Sequence, residues 1–373
     1  MTSSLRFYHT LIAEVGQQVA GMRVTQVRMI ALMAVGMIMS RSVWLSEIAC
    51  HLPVRRGKLP SLVNRLHRFL VNSRIEPLEV LRPFARRLLT QQGLTGVRLV
   101  MDASKVGVHG QRGSRVLTVS LCYRKRTLPL LHLVAPGPKG QVGWEMQKRL
   151  LKAVAALIPA QTPVVLVADA GFESVELILW LQQQHWDFVL RRNGKNSVRL
   201  QRQHVVLGKH ALADFVRLDA LTIRAGEIHH PGAVFLTKRH AIDHCYLTLC
   251  WQRGEASPWY LIASFDDAKR ALQTYRRRMW VEEMYGDLKQ HGFNIAASHL
   301  RHADRIERLL MVAFIAYLVC ISLGSRIVKN GRRSQVDHKS RRNKSYFRIG
   351  HDWLRMRLQR DKSVKVSLSP APN

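Results

Sequence analysis

Four side chains in the stretch TYRRRMWVEEMYGDLKQHG, residues 274–292, have types and spacing that could do chemistry: Tyr275, Arg278, Glu282 and Lys289. On a helix turning about 100° per residue they fall within about 60° of one another. Trp280, Glu283 and Asp287 point elsewhere. The ridge is polar and mixed in charge, which an ordinary amphipathic helix does not need. Ion pairing along it, such as Arg278 with Glu282 at i,i+4, would by itself contribute only about 0.2–0.5 kcal/mol.

Two aspartates extend the set. The apolar runs RLVMDAS and VVLVADAGF each read as a buried strand ending in a carboxylate, at Asp102 and at Asp169. A carboxylate there is costly unless it is paired or binds a cation. The ordinary alternative is an aspartate that opens a turn or caps a helix. Two such aspartates with a later helical glutamate ask for more. Three converging carboxylates repel one another unless divalent cations lie between them, and all-oxygen ligands suit Mg²⁺ or Mn²⁺. Two such ions about 3.5–4 Å apart activate an attacking oxygen and stabilise a leaving oxygen in phosphoryl transfer.

The elements that must position these residues can be read in order. Residues 1–92 read as helical, with apolar residues at helical spacing in LIAEVGQQVAGMRVTQVRMIALMAVGMIM. LSEIACHLPVRRGKLPSLVNRLHRFL then reads as a short helix, a basic turn and a second helix opening at Ser61. That second helix sets Leu62, Leu66, Phe69 and Leu70 against Asn64, Arg65 and Arg68, as in a helix-turn-helix whose second helix enters a major groove. A plain helical pair with a solvated basic face is the alternative.

From residue 93 to 194 the order is β-β-β-α-β-α-β, with the two aspartates on the first and fourth strands. This suits a mixed-sheet, RNase H-like α/β (α+β) core. Residues 195–256 alternate polar and apolar and read as a β-rich insertion. Residues 257–324 return to the core with the strand WYLIASF, the helix bearing the ridge, and an apolar helix near 304–324. The segment 325–373 holds fourteen Lys and Arg against three Asp, and is expected to be partly helical around YFRIGHDWLRMRL and partly disordered.

Charge names the class of partner. The 373-residue chain has 58 Lys and Arg, only 25 Asp and Glu, and a formal net charge of +33, so a polyanion is expected, with double-stranded DNA first. A hydrophobic content of 47% excludes a disordered basic tail. No membrane partner is expected, because the apolar run at 309–324 falls short of the roughly 20 residues a span needs. Cys50, Cys122, Cys245, Cys250 and Cys320 are odd in number and form no CxxC pair, which points to a reduced, cytoplasmic setting.

The pattern Y-x2-R-x3-E-x6-K, here Tyr275, Arg278, Glu282 and Lys289, resembles the signature of bacterial insertion-sequence transposases of the DDE type. The resemblance is to the insertion-sequence-four family, which includes the transposases of tetracycline- and kanamycin-resistance transposons. MDAS, ADAGF, FVLRRNGK and GFNIAASHLRHADRIERLLM look like the same family, and the likeness runs from about Leu45 to Arg357. It implies that Asp102, Asp169 and Glu282 are the catalytic, metal-binding triad. Tyr275, Arg278 and Lys289 would grip phosphates near the cleaved end. It also implies a homodimer acting on terminal inverted repeats and target DNA, with hairpin intermediates and no small-molecule cofactor. Trp259, in SPWYLIASF, matches a family tryptophan that stacks on a flipped base; packing within its strand is the alternative. A related nuclease, or a non-catalytic DNA-binding repressor, would share part of this pattern.

Weaker signals stand apart. His229, His230, His244, Cys245 and Cys250 fit no standard zinc spacing. GPKGQVG lacks the ending of a phosphate-cradling loop. Asp266 and Asp267 read as the cap and first turn of the helix bearing the ridge.

Overall fold

The computed structural model describes residues 2–54, 57–90, 95–106, 113–137, 142–201 and 214–372. The chain opens with five helices: α1 (Ser3–Gln18), α2 (Val24–Ser40), α3 (Leu45–Cys50), α4 (Leu59–Val71) and α5 (Pro77–Thr90). On α4, Leu62, Leu66, Phe69 and Leu70 are buried while Asn64, Arg65 and Arg68 are exposed, as their spacing requires. The helix begins at Leu59 rather than Ser61. Pro60 fits its first turn because those positions have no intrahelical N–H partner to lose.

The core is one ten-stranded mixed sheet. Strands β1 (Val97–Val106), β2 (Ser114–Tyr123) and β3 (Arg126–Pro136) form an antiparallel meander. Helices α6 (Trp144–Ala155) and α7 (Val175–Gln183) lead into β4 (Val164–Ala168) and β5 (Asp187–Arg192), which pair parallel to β1 and β4 respectively. A parallel neighbour needs such a crossover, and covering helices explain why VVLVA is apolar without alternation.

Beyond β5 lies β10 (Trp259–Ala263), paired antiparallel to it. On its far side follow β9 (Ile242–Cys250), β8 (Ile228–Leu236), β6 (Ser197–Leu200) and β7 (Val216–Arg217). The strands of 195–256 thus extend the same sheet. LTIRAG, which alternates like a strand, forms a loop that buries Leu221 and Ile223. Residues 202–208 of SVRLQRQHVVLG and 138–141 of GPKGQVG lie outside the described residues.

Helices α8 (Ala268–Arg276) and α9 (Met279–Leu288) cross one face of the sheet. Asp267, expected in the first turn, is instead the cap of α8, its carboxylate accepting the Arg270 N–H at 2.8 Å, and Asp266, expected as the cap, precedes it and bonds His230. The core then closes around α10 (Ala303–Lys329), nearly every residue of which is buried from Ile306 to Ser325. This corrects the expectation that the apolar run is too short to span a bilayer. The helix has 27 residues, and its length and composition would suffice, but it is enclosed by other elements. Buried Arg308 donates to the carbonyls of Leu70 and Ile75 at 3.0 Å, pinning α10 to the end of α4 and the turn before α5.

The basic tail is also corrected. It is helical where expected, as α11 (Tyr346–Gln359), but in place of the expected disorder a final segment buries Val364, Val366, Leu368 and Ala371. Its apolar residues are spread among Lys and Ser, so no local period announces the packing. The α10–α11 crossing is close because Gly324 and Gly350 face it. A methyl on Gly324 would overlap the Tyr346 carbonyl, and one on Gly350 the Cys320 carbonyl.

Candidate active site

Register brings the two aspartates together. The β1–β4 ladder ends at the parallel pair Met101–Ala168, so Asp102 and Asp169 are the next residues on adjacent strands. Asp169 stands just past β4, as expected. Asp102 does not end its strand: β1 continues to Val106, and Asp102 pairs with Thr118 of β2. The local apolar run stops at Asp102 because the covering strand β4 stops there, and β2 supports the rest.

Asp169 does open a turn. Its Oδ1 accepts the Gly171 N–H at 2.9 Å, leaving Oδ2 to point into the site. A side chain at Gly171 would press on that same Oδ1. The loop after it is held by β5, where buried Arg192 donates to the Glu173 carbonyl and to Asn196 Oδ1, both at 2.7 Å.

Glu282 arrives from α9. Arg278, the residue preceding that helix, lies among all three carboxylates. Its Nη2 is 3.2 Å from Asp102 Oδ1 and 3.2 Å from Asp169 Oδ2, and its Nη1 is 2.7 Å from Glu282 Oε1. The Asp102 side chain is 8% exposed, that of Asp169 34% and that of Glu282 49%, so the site opens to solvent from the Glu282 side. Burial drives the Asp102 pKa up to about 7, against the opposing pull of Arg278 and with help from Asp169. Burial works against the Arg278 charge, but Asp102 and Asp169 outweigh it and its pKa is raised.

Lys289 closes the other side. Its Nζ donates to Ser104 Oγ at 2.9 Å and lies 5.5 Å from the centre of the Tyr285 ring. Its pKa is lowered by burial, with Asp102 opposing. Tyr285 donates to Thr118 Oγ1 at 2.9 Å, directly across the strand from Asp102. Sequence reading missed Ser104, Thr118, Tyr285 and Arg192. Only the i,i+2 spacing of Ser104 from Asp102 hinted at a shared face.

The single ridge expected from the helical wheel is corrected in two ways. The helix breaks between Arg276 and Met279, and Lys289 begins a π-helical turn. Arg278 and Lys289 still reach β1, and Glu282 reaches Arg278. Tyr275, on α8, is 2% exposed, and Trp259 of β10 is 6% exposed. Their rings meet edge to face at 5.0 Å inside a small apolar cluster with Val167, Val189 and Leu261. In this conformation neither ring is open to DNA. The packing alternative for Trp259 is the one adopted.

Glu283 and Asp287 turn away to hold Arg126, at 3.0 Å each. His229 and His230 bond Glu227 and Asp266, and Cys245 and Cys250 lie buried in β9. Asn64, Arg65 and Arg68 sit on the exposed face of α4, away from the triad in sequence and element.

The donor set suits a divalent cation: three oxygen ligands already converge on one positive charge. As arranged, the described residues include no group of three carboxylates near enough to share an ion, since the guanidinium stands between them. With Arg278 withdrawn, Asp102, Asp169 and Glu282 supply the hard oxygen ligands that Mg²⁺ or Mn²⁺ prefers.

Residues 94–319 match the transposase DDE domain family. Among solved structures, the fold is similar to a piggyBac transposase in a synaptic complex with hairpin DNA. That likeness has 12% sequence identity and a TM-score of 0.45, and covers 95% of this chain and 77% of that one. No curated protein sequence matches.

Proposed function

Because the chain belongs to the transposase DDE domain family, we propose that it moves its own DNA element by cut-and-paste transposition, as a member of the insertion-sequence-four group. The observation that carries this reading is the convergence of Asp102, Asp169 and Glu282 on one cationic point just past the end of the parallel β1–β4 ladder. Bound there, two Mg²⁺ or Mn²⁺ ions would activate the attacking oxygen and stabilise the leaving one.

The chain's own residues do the rest. Arg278 and Lys289 hold phosphates of the cleaved end, Arg278 by a two-pronged contact and Lys289 as a point charge. Tyr275 and Trp259 act behind them as a packed support. Asn64, Arg65 and Arg68 present a basic helix face to the terminal inverted repeats, and two protomers act on two ends in a homodimer. Cleavage of one strand at each end frees a 3′-hydroxyl. That hydroxyl attacks a phosphodiester of the opposite strand, giving a hairpin and releasing the flanking DNA with its own 3′-hydroxyl, and water opens the hairpin before strand transfer to target DNA. The work takes place in the bacterial cytoplasm, at the nucleoid.

The test is cleavage of supercoiled DNA carrying both element ends, in Mg²⁺, by wild type and by Glu282→Ala. Double-strand breaks with a hairpin intermediate, lost in the variant, are expected. End binding without cleavage by either protein would leave a DNA-binding repressor. Cleavage indifferent to the end sequence would leave a nuclease.

A further inference from the structure

We propose that Arg278 is a resident counter-cation of the triad, competing with divalent metal, and that DNA phosphate draws it out, so that DNA and metal load together. The inference rests on the proposed function and concerns regulation of the same site.

The geometry makes the competition direct. One nitrogen, Nη2, touches both aspartates, at 3.2 Å each, and Nη1 touches Glu282 at 2.7 Å. Asp102, Asp169 and Glu282 are the residues that would hold a divalent cation, and their oxygens are the ones Arg278 already occupies. Ion and guanidinium cannot share that space, and their charges repel. Arginine cannot relieve the conflict by losing its proton, because its charge is permanent at any working pH. It must move.

Movement is available to it. Arg278 lies at the break between α8 and α9, where its N–H and carbonyl make tighter i,i+3 bonds, to the Tyr275 carbonyl at 2.8 Å and from the Val281 N–H at 3.0 Å. Its Nε is buried and has no hydrogen-bond partner among the described residues, so the resting pose leaves one donor unsatisfied. The Glu282 side, half exposed, is the open way out. Once out, the guanidinium needs an anion, and a DNA phosphate offers two oxygens in the matching fork geometry.

Linkage then fixes the sign. If phosphate favours the withdrawn arginine and metal favours the vacated carboxylates, each ligand tightens the other by the same factor. Free protein holds its carboxylates neutralised and binds metal weakly, which restrains cleavage away from a bound end.

The test titrates Mn²⁺ alone by calorimetry into the full-length, DNA-free wild type, Arg278→Gln and Asp102→Asn. The wild-type and Arg278→Gln titrations are then repeated with a short DNA duplex present. Arg278→Gln is expected to bind Mn²⁺ more tightly than wild type, on the order of tenfold, and DNA to tighten wild type on a similar scale without helping the variant. Equal or weaker binding by Arg278→Gln, with Asp102→Asn weaker still, would overturn the competition while leaving the triad as the metal site. Asp102→Asn binding as well as wild type would remove the metal site itself, and with it the proposed function. Should Arg278→Gln fail to fold, wild type alone decides: DNA that leaves Mn²⁺ affinity unchanged sinks the proposal.

Discussion

Asp102, inside β1, and Asp169, just past β4, each lie one residue beyond Met101–Ala168, the last pair of the parallel β1–β4 ladder. Nothing between them in sequence is needed to set this spacing; the sheet register does it. A one-residue slip of β4 would turn Asp169 to the opposite face.

The triad should therefore behave as a unit in catalysis but not in stability. Asp102→Asn, Asp169→Asn and Glu282→Gln are each expected to lower end cleavage beyond the roughly 10–100-fold seen on removing a residue that only supports a ligand. Glu282→Gln, half exposed, should leave the melting temperature nearly unchanged. Retained cleavage in any one of them would exclude it from the triad.

Asp102 should also leave a pH signature in metal-free protein. Its pKa, raised by burial to about 7, lies above the roughly 3.9 of an unfolded aspartate. Between those values the folded state holds a proton the unfolded state has lost, so this group's contribution falls as pH rises and levels off above about 7. Unfolding by denaturant in EDTA is expected to show Asp102→Asn gaining on wild type between pH 4 and pH 7. A gap independent of pH would mean the carboxyl is not perturbed.

The Trp259–Tyr275 pair separates packing from base stacking. Trp259→Ala should cost about 3–5 kcal/mol of stability, as truncation of a buried aromatic does. If unfolding is unchanged and only hairpin formation suffers, the ring spends its time outside the cluster, against DNA.

On α4, Arg65→Ala and Arg68→Ala should each weaken end binding and reduce the salt dependence of log K by about 1 if each meets a phosphate. Binding by filter retention across a salt series measures it. A loss confined to the cognate ends, with an unchanged slope, would instead assign that residue to a base edge.

The α10–α11 crossing makes the tail part of the core. Gly324→Ala or Gly350→Ala is expected to destabilise by at least about 1–3 kcal/mol, since backbone must shift to admit the methyl. An unchanged melting temperature would show that the two helices can separate at no cost.

The sequence alone determined the identity and spacing of Asp102, Asp169, Glu282, Arg278 and Lys289, and the order of strands and helices in the core. Those signals are local: an apolar run with a carboxylate after it, a helical interval, an acidic pair just before a helix. The apolar and polar faces of α4 were legible for the same reason. Tertiary structure decided what local pattern cannot encode. That Asp102 lies inside its strand follows from β2, which pairs with β1 as far as Val106. That Tyr275 and Trp259 face each other follows from α8 lying over β10. That Arg278 sits among three carboxylates follows from three separate elements meeting, and the docking of the dispersed apolar residues after 360 depends on a surface built by α10. Each of these is a contact between residues far apart in the chain, fixed by register and packing rather than by any period in the sequence.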